Sequence, residues 1–210
     1  MSRQLDCPQF VQGNRRRYRI ITKISKISKI KENLKFLLSL KRFNHSVGVS
    51  ETALRLAERY GHQDPMLEIA ALLHDCGRMV PDLEIVEFAQ RRHIPISPDI
   101  AMAGERLYHS EVGVYVAKTH FLIEHPTVTE AIRYHTTGKP GLSDSSKIIY
   151  IADVIEPSRS FKEVNGIREQ ADKGLCVGLK AACQRKLQFV LQSGDFIHPL
   201  SIAFWNSLCS

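Results

Sequence analysis

The sequence predicts an all-α protein, one helical bundle of about ten helices. Three observations point there. Apolar residues recur at helical spacing in nearly every segment after Lys31. No stretch alternates apolar and polar residues long enough to read as a strand. The breaks carry helix punctuation: Asp64-Pro65, Pro81-Asp82 and His125-Pro126 at starts, Gly61 and Pro157 at ends.

Met1 to Gln12 shows no period, and Arg15-Arg16-Arg17-Tyr18-Arg19 is a basic cluster. From Ile20 to Ile30 isoleucine recurs every third residue with lysine in step, a rhythm that drifts on an α-helix. Residues 1–30 therefore read as a basic N-terminal extension, partly disordered or leading into the first helix. Residues 31–210 read as the folded domain. Glu32 to Leu40 is the first expected helix. Phe43 to Tyr60 is the second, with Val47, Val49, Ala53, Leu54, Leu56 and Ala57 on its apolar stripe. Asp64 caps and Pro65 opens a central buried helix over Leu67 to Leu73, which Gly77 is expected to stop. Leu83 to Arg92 follows, then a loop with a short turn from His93 to Gly104. Leu107 to Phe121 and Thr127 to His135 are helical, and Thr136 to Asp144 is a loop. Ser145 to Glu156 is a strongly apolar helix. Phe161 to Asp172, Lys173 to Ser193 and Pro199 to Leu208 complete the chain.

The 210 residues, 43% hydrophobic and 24% charged, suit one soluble domain. No apolar run approaches the ~18 residues of a membrane span. The five cysteines form no CxxC, which argues for a reduced cytoplasmic protein rather than a disulfide framework or zinc knuckle. The net charge of +7 invites a nucleic-acid partner, but much of it lies in the N-terminal extension. No helix-turn-helix signature or aromatic stacking platform supports that partner. A basic cleft serves a small polyphosphate equally well.

The chemistry gathers at helix ends. His45, His74, Asp75, His109, His135 and Asp153 each adjoin an apolar helix. Singly each has a bland account: a cap, a packed histidine, or an imidazole on C-terminal carbonyls. Asp153 is the sharpest, because it sits within Ile148-Ile149-Tyr150-Ile151-Ala152-Asp153-Val154-Ile155. A carboxylate buried there needs a cation or several donors. Together these residues describe an imidazole–carboxylate metal site without thiolate, suited to Fe, Mn, Zn or Co.

The order His45, His74-Asp75, Asp153 resembles the HD-domain metal-dependent phosphohydrolases. Arg42-Phe43-Asn44-His45-Ser46, Tyr134-His135-Thr136-Thr137-Gly138 and Ala152-Asp153-Val154-Ile155-Glu156-Pro157-Ser158-Arg159 are similar to one branch, the YqeK family. The resemblance covers about Glu32 to Leu208. It implies an HD-type bundle that cuts diadenosine tetraphosphate and related dinucleoside polyphosphates symmetrically, giving two ADP from the former. It implies iron, mononuclear or dinuclear, held by His45, His74, Asp75 and Asp153. Asp75, His109 and His135 would be catalytic, and the two histidines would face phosphate or hold a second metal. Arg42, Arg78, His109, His135, Thr136, Asp153 and Arg159 would meet the substrate. So would Phe196, Ile197, His198, Pro199, Leu200 and Ser201. The family commonly has alanine at Gly77 and lysine at Arg78, and arginine changes reach while keeping charge. A homodimer is left open, and no membrane partner is implied. The rivals are an HD-type phosphatase or phosphodiesterase acting on another nucleotide, and a basic nucleic-acid-binding helical protein.

Overall fold

The computed structural model describes residues 25–209. The basic cluster Arg15 to Arg19 lies outside them. Among the described residues the chain is helical with no strand, as the sequence predicts.

The first helix, α1, covers 25–37 of the described residues. Ile27, Ile30, Leu34 and Leu38 are buried in the core. Their spacing of three, four and four places them on one helical face. The helix therefore runs unbroken across residue 31, and it ends earlier than Leu40. Ser39 explains the end: its hydroxyl accepts from Arg42 N at 3.4 Å and caps α2, Leu40–Arg59. That cap sets Arg42 and His45 near the start of α2.

Helix α3, Leu67–Leu73, is buried at Leu67 and from Ile69 through Leu73. Asp64 acts one turn before it, accepting from Met66 N at 2.8 Å, so the helix proper begins later than the cap signal implies. Gly77 does not stop it. The helix ends at Leu73 with His74 as its cap residue; Asp75 departs to φ −112°, ψ 18°, and a 3-10 turn spans Cys76–Met79. Gly77 is instead a point of close approach. A Cβ there would lie 2.0 Å from His109 O and 2.8 Å from Gly113 N.

After a second 3-10 turn, Asp82–Glu84, come α4, Ile85–Arg91, and α5, Pro98–Ala103. Helix α5 replaces the expected loop. Ser97 caps it from Ile100 N at 3.3 Å, and Pro98 sits at its first position, where a missing N–H costs nothing. Helices α6, Glu105–Thr119, and α7, Pro126–Tyr134, follow. Then comes α8, Asp144–Ile155, in which only Lys147 is not buried from Ser145 onward. Helix α9, Val164–Lys173, and α10, Leu175–Ser193, meet at Gly174, and α11, Pro199–Ser207, closes the chain.

Helix α2 packs on α3 and α8, while α7 covers α3 and α8 from the other side. Helix α6 lies against α7 and the Cys76–Met79 turn, and α10 covers α8 and α9. Fully buried Leu34, Leu56, Leu72, Leu73, Ile132, Ile148, Ile149 and Ile151 form the centre. At roughly 1.5–3 kcal/mol per buried aliphatic side chain, this core fixes the elements whose ends carry the polar cluster.

Candidate metal centre

Four helix ends converge. His45 comes from the start of α2, His74 and Asp75 from the end of α3, His135 from the end of α7, and Asp153 from the last turn of α8. His109 enters from α6. The paired glycines Gly77 and Gly113 let the turn behind Asp75 lie directly on α6.

The ligand-capable atoms form two triads. His45, His74 and Asp153 offer atoms all within 4.8 Å of one another, and so do Asp75, His109 and His135. The neighbouring residues His74 and Asp75 thus face different triads, because the backbone turns between them. The triads are contiguous: the His74 ring centroid is 5.2 Å from His45 and 5.0 Å from His135, which is 5.1 Å from His109. The Nε2 atoms of His109 and His135 lie 3.2 Å apart. Asp75 Oδ1 is 3.5 Å from His109 Nε2 and 3.9 Å from His135 Nε2.

Orientation comes from the backbone. His74 Nδ1 lies 2.7 Å from Ala71 O, and His135 Nδ1 lies 2.8 Å from Ile132 O. A carbonyl only accepts, so each Nδ1 carries the proton and each Nε2 presents a lone pair inward. His74 Nε2 is buried without a hydrogen-bond partner. Buried polar atoms rarely stay unpaired, and this orphan aimed into a cluster of acids and imidazoles fits a divalent cation.

Electrostatics agree. Burial, with the charge on His45, pulls His74 below its ordinary range. Burial and the Arg78 guanidinium hold His109 well below, and burial with the neighbouring imidazoles does the same to His135. These three are neutral near pH 7, the form that binds metal. His45 differs. Burial opposes its charge, but hydrogen bonds to Asp153 and Glu156 prevail and raise it to about 9. Asp153 is held well below the carboxylate range: burial resists, and the charges of Lys186 and Arg159 with the His45 hydrogen bond overcome it. Cys76, beside Asp75, is no ligand. Its thiol donates to Gly113 O at 3.3 Å, and burial pushes its pKa up.

Cations ring the acids. Arg42 donates to Asp75 Oδ2 at 2.8 Å, and Arg78 Nε lies 3.4 Å from Asp75 Oδ1. Arg159 donates to Asp153 Oδ1 at 2.7 Å, and Lys186 Nζ to Asp153 Oδ2 at 2.8 Å. Lys186 also donates to His135 O, joining the two triads. The Thr136 hydroxyl lies 3.1 Å from His135 Nε2 and 3.4 Å from His109 Nε2. Among the described residues, 196–201 form no hydrogen bond or ion pair with this group. His198 Nδ1 accepts from Leu200 N at 3.1 Å and caps α11, and the preceding Asp195 pairs with Arg106. Arg106 is the link, since its carbonyl accepts from Arg78 at 3.4 Å.

A family model described as HD domain matches residues 42–158, the interval that holds all six ligand candidates. The chain belongs to the HD-domain family. It is 33% identical over 169 residues to the symmetrical bis(5′-nucleosyl)-tetraphosphatase of Bacillus subtilis, covering 80% of this chain and 90% of that one. To the protein of that name from Halalkalibacterium halodurans it is 35% identical over 167 residues, covering 80% and 88%. A crystal structure from Clostridium acetobutylicum, described as a predicted HD superfamily hydrolase involved in NAD metabolism, aligns with a TM-score of 0.76. It is 36% identical, and the alignment covers 87% of this chain and 96% of that one.

Two residues of this HD centre escape a reading of the sequence. Glu156 lies 1% exposed, with Oε1 3.0 Å from His45 Nδ1. Its signal was an acid directly after an apolar helix and before a proline. Lys186 sits on α10 with Lys180 and Arg185, and nothing local marks it.

Proposed function

We propose that the chain hydrolyses diadenosine tetraphosphate and related dinucleoside polyphosphates symmetrically, releasing nucleoside diphosphates, two ADP from the diadenosine compound. One observation carries this: two adjoining imidazole–carboxylate triads ringed by Arg42, Arg78, Arg159 and Lys186. A cation-lined centre of this kind suits a strongly anionic polyphosphate. The relatives named symmetrical tetraphosphatases, matched over most of their length, support the same substrate class.

In this reading His45, His74 and Asp153 hold one ion, and Asp75, His109 and His135 hold a second. Iron is the proposed ion; manganese, cobalt and zinc suit the same donors. Held there, divalent ions would polarise phosphoryl oxygens and make water a better nucleophile near neutral pH. Asp75 and Asp153 supply anionic ligands, and their guanidinium partners neutralise charge on the phosphates beside them. The Thr136 hydroxyl can donate to a phosphoryl oxygen. His109 and His135 are too weakly basic, when buried as they are, to stand protonated near pH 7, so we assign them as ligands rather than proton donors. Half-buried Phe196 and Ile197 are the proposed apolar slot for adenine, with His198, Pro199, Leu200 and Ser201 shaping its edge.

No helix of the described residues is long and apolar enough to cross a membrane. We assign the chain to the cytoplasm on its free Cys76, Cys176, Cys183 and Cys209. The test is product identification by chromatography on diadenosine tetraphosphate, with elemental analysis of the same purified protein. ADP alone and a stoichiometric transition metal are expected. ATP with AMP would overturn the symmetrical cut, and metal-free active protein would overturn the centre.

A further inference from the structure

His74 and His135 take their orientation from carbonyls three residues earlier on their own helices. His45 does not. Its Nδ1 points at the Glu156 carboxylate, 3.0 Å away and 111 residues later in the chain. That carboxylate is itself held. Ser158 N donates to Oε2 at 2.7 Å, and the Ser158 hydroxyl donates to Oε1. Arg168 fixes the surrounding turn from α9, donating to Ile155 O at 3.0 Å, Glu156 O at 3.0 Å and Arg159 O at 3.1 Å. The turn therefore leaves Glu156 little freedom.

Helix α2 is shaped to receive it. Gly48 lies three residues after His45, on the same face of α2. A Cβ at Gly48 would come within 2.8 Å of Glu156 Oε2. A glycine in a helix interior is less favourable than alanine. Here it leaves room for a buried carboxylate that reaches the first imidazole of the centre. The opposite ring nitrogen, His45 Nε2, faces Asp153 Oδ1 at 3.2 Å.

We propose that Glu156 is a positioning residue for the metal centre: it fixes the proton of His45 on Nδ1, so that Nε2 is the nitrogen turned to the ion. The assignment rests on reading His45, His74 and Asp153 as ligands. It makes His45 the one imidazole of this set backed by an anion rather than a neutral carbonyl, and an anionic partner strengthens an imidazole as a donor.

Gly48→Ala and Glu156→Gln test this in the full chain, stripped of metal with a chelator and titrated with Co2+ by calorimetry and visible absorption. Glu156→Gln should weaken Co2+ binding about 10–100-fold, the usual scale for changes behind a metal ligand. The visible band of bound Co2+ should shift with it. Gly48→Ala should move both in the same direction by less, because its methyl meets Glu156 Oε2, the oxygen that accepts from Ser158 N, and not Oε1, which faces His45 Nδ1. A merely structural role would lower the melting temperature of the stripped protein and leave affinity and spectrum as in wild type; that result overturns the proposal. If Glu156→Gln fails to fold, Gly48→Ala decides by the same criterion. Wild type that binds no Co2+ would overturn the metal centre itself, a separate outcome.

Discussion

Helix α8 carries a polar cluster at each end, and the two are built on opposite terms. At its start, Ser143, Ser145 and Ser146 meet two carboxylates. Asp64 accepts from Ser145 Oγ at 2.7 Å, Thr127 Oγ1 at 3.1 Å and Met66 N at 2.8 Å. Glu130 accepts from Ser146 Oγ at 2.8 Å and Ser143 N at 3.1 Å. Hydroxyls and backbone amides satisfy these acids, with one ion pair at the rim from Lys139 to Glu130 at 3.1 Å, and the knot pins α3, α7 and α8 together. At the far end Asp153 is matched by Arg159, Lys186 and His45, while neighbouring imidazoles keep unshared lone pairs. A closed network stabilises; a cluster with buried, unpaired donors to a cation is arranged for a ligand.

Breaking the open end should have the largest effect on activity. Asp75→Ala removes the carboxylate of the second triad. Tetraphosphate cleavage should fall by more than about 100-fold, the upper figure for changes merely behind a ligand, with less metal by elemental analysis. Wild-type turnover would dismiss Asp75 as a ligand. Next is the wall behind Asp75. Gly77→Ala drives a methyl into the backbone of His109, and urea unfolding should show a loss of about 1–3 kcal/mol. Unchanged stability would mean that α6 yields freely there.

The closed end gives the converse. Asp64→Ala should cost about 1–2 kcal/mol, discounted because Asp64 is only partly buried. Metal content should not change; a parallel loss of metal would erase the contrast between the two ends. The smallest effect is one of pH. Burial raises the pKa of Asp64 and of Glu130, but their hydrogen bonds prevail and hold both below the ordinary carboxylate range. A depressed folded pKa adds stability above the unfolded value, near 4, which is lost as pH falls through the folded one. Thermal melts from pH 5 to pH 2 should show wild type losing more stability than Asp64→Asn. Parallel curves would remove the knot from acid sensitivity.

The long helices were legible because their stripes and caps are local. Ser145 to Glu156 announced α8 within a residue at each end, and Asp153 stood out as an acid among isoleucines. What failed was short or nonlocal. Helix α5 has six residues, too few for a period, though Ser97-Pro98 was a readable cap. Gly77 looked like a helix stop, and its true role depends on α6, out of sight in the local sequence. Ile27 and Ile30 read as part of a basic extension, yet they share the face that Leu34 and Leu38 carry into the core. The division of ligands into two triads follows from the backbone turn at Asp75, which residue types alone do not encode.

The family-matched interval stops at residue 158. Arg159, Arg168 and Lys186 all come after it, and each grips the last turn of α8 or the turn beyond. Trimming the polypeptide to its recognisable motif would strip Asp153 of both cationic companions and unfasten the turn that carries Glu156. The smallest catalytic fragment must therefore extend through α10, and grafting the motif onto a shorter scaffold would transplant ligands without their counter-charges.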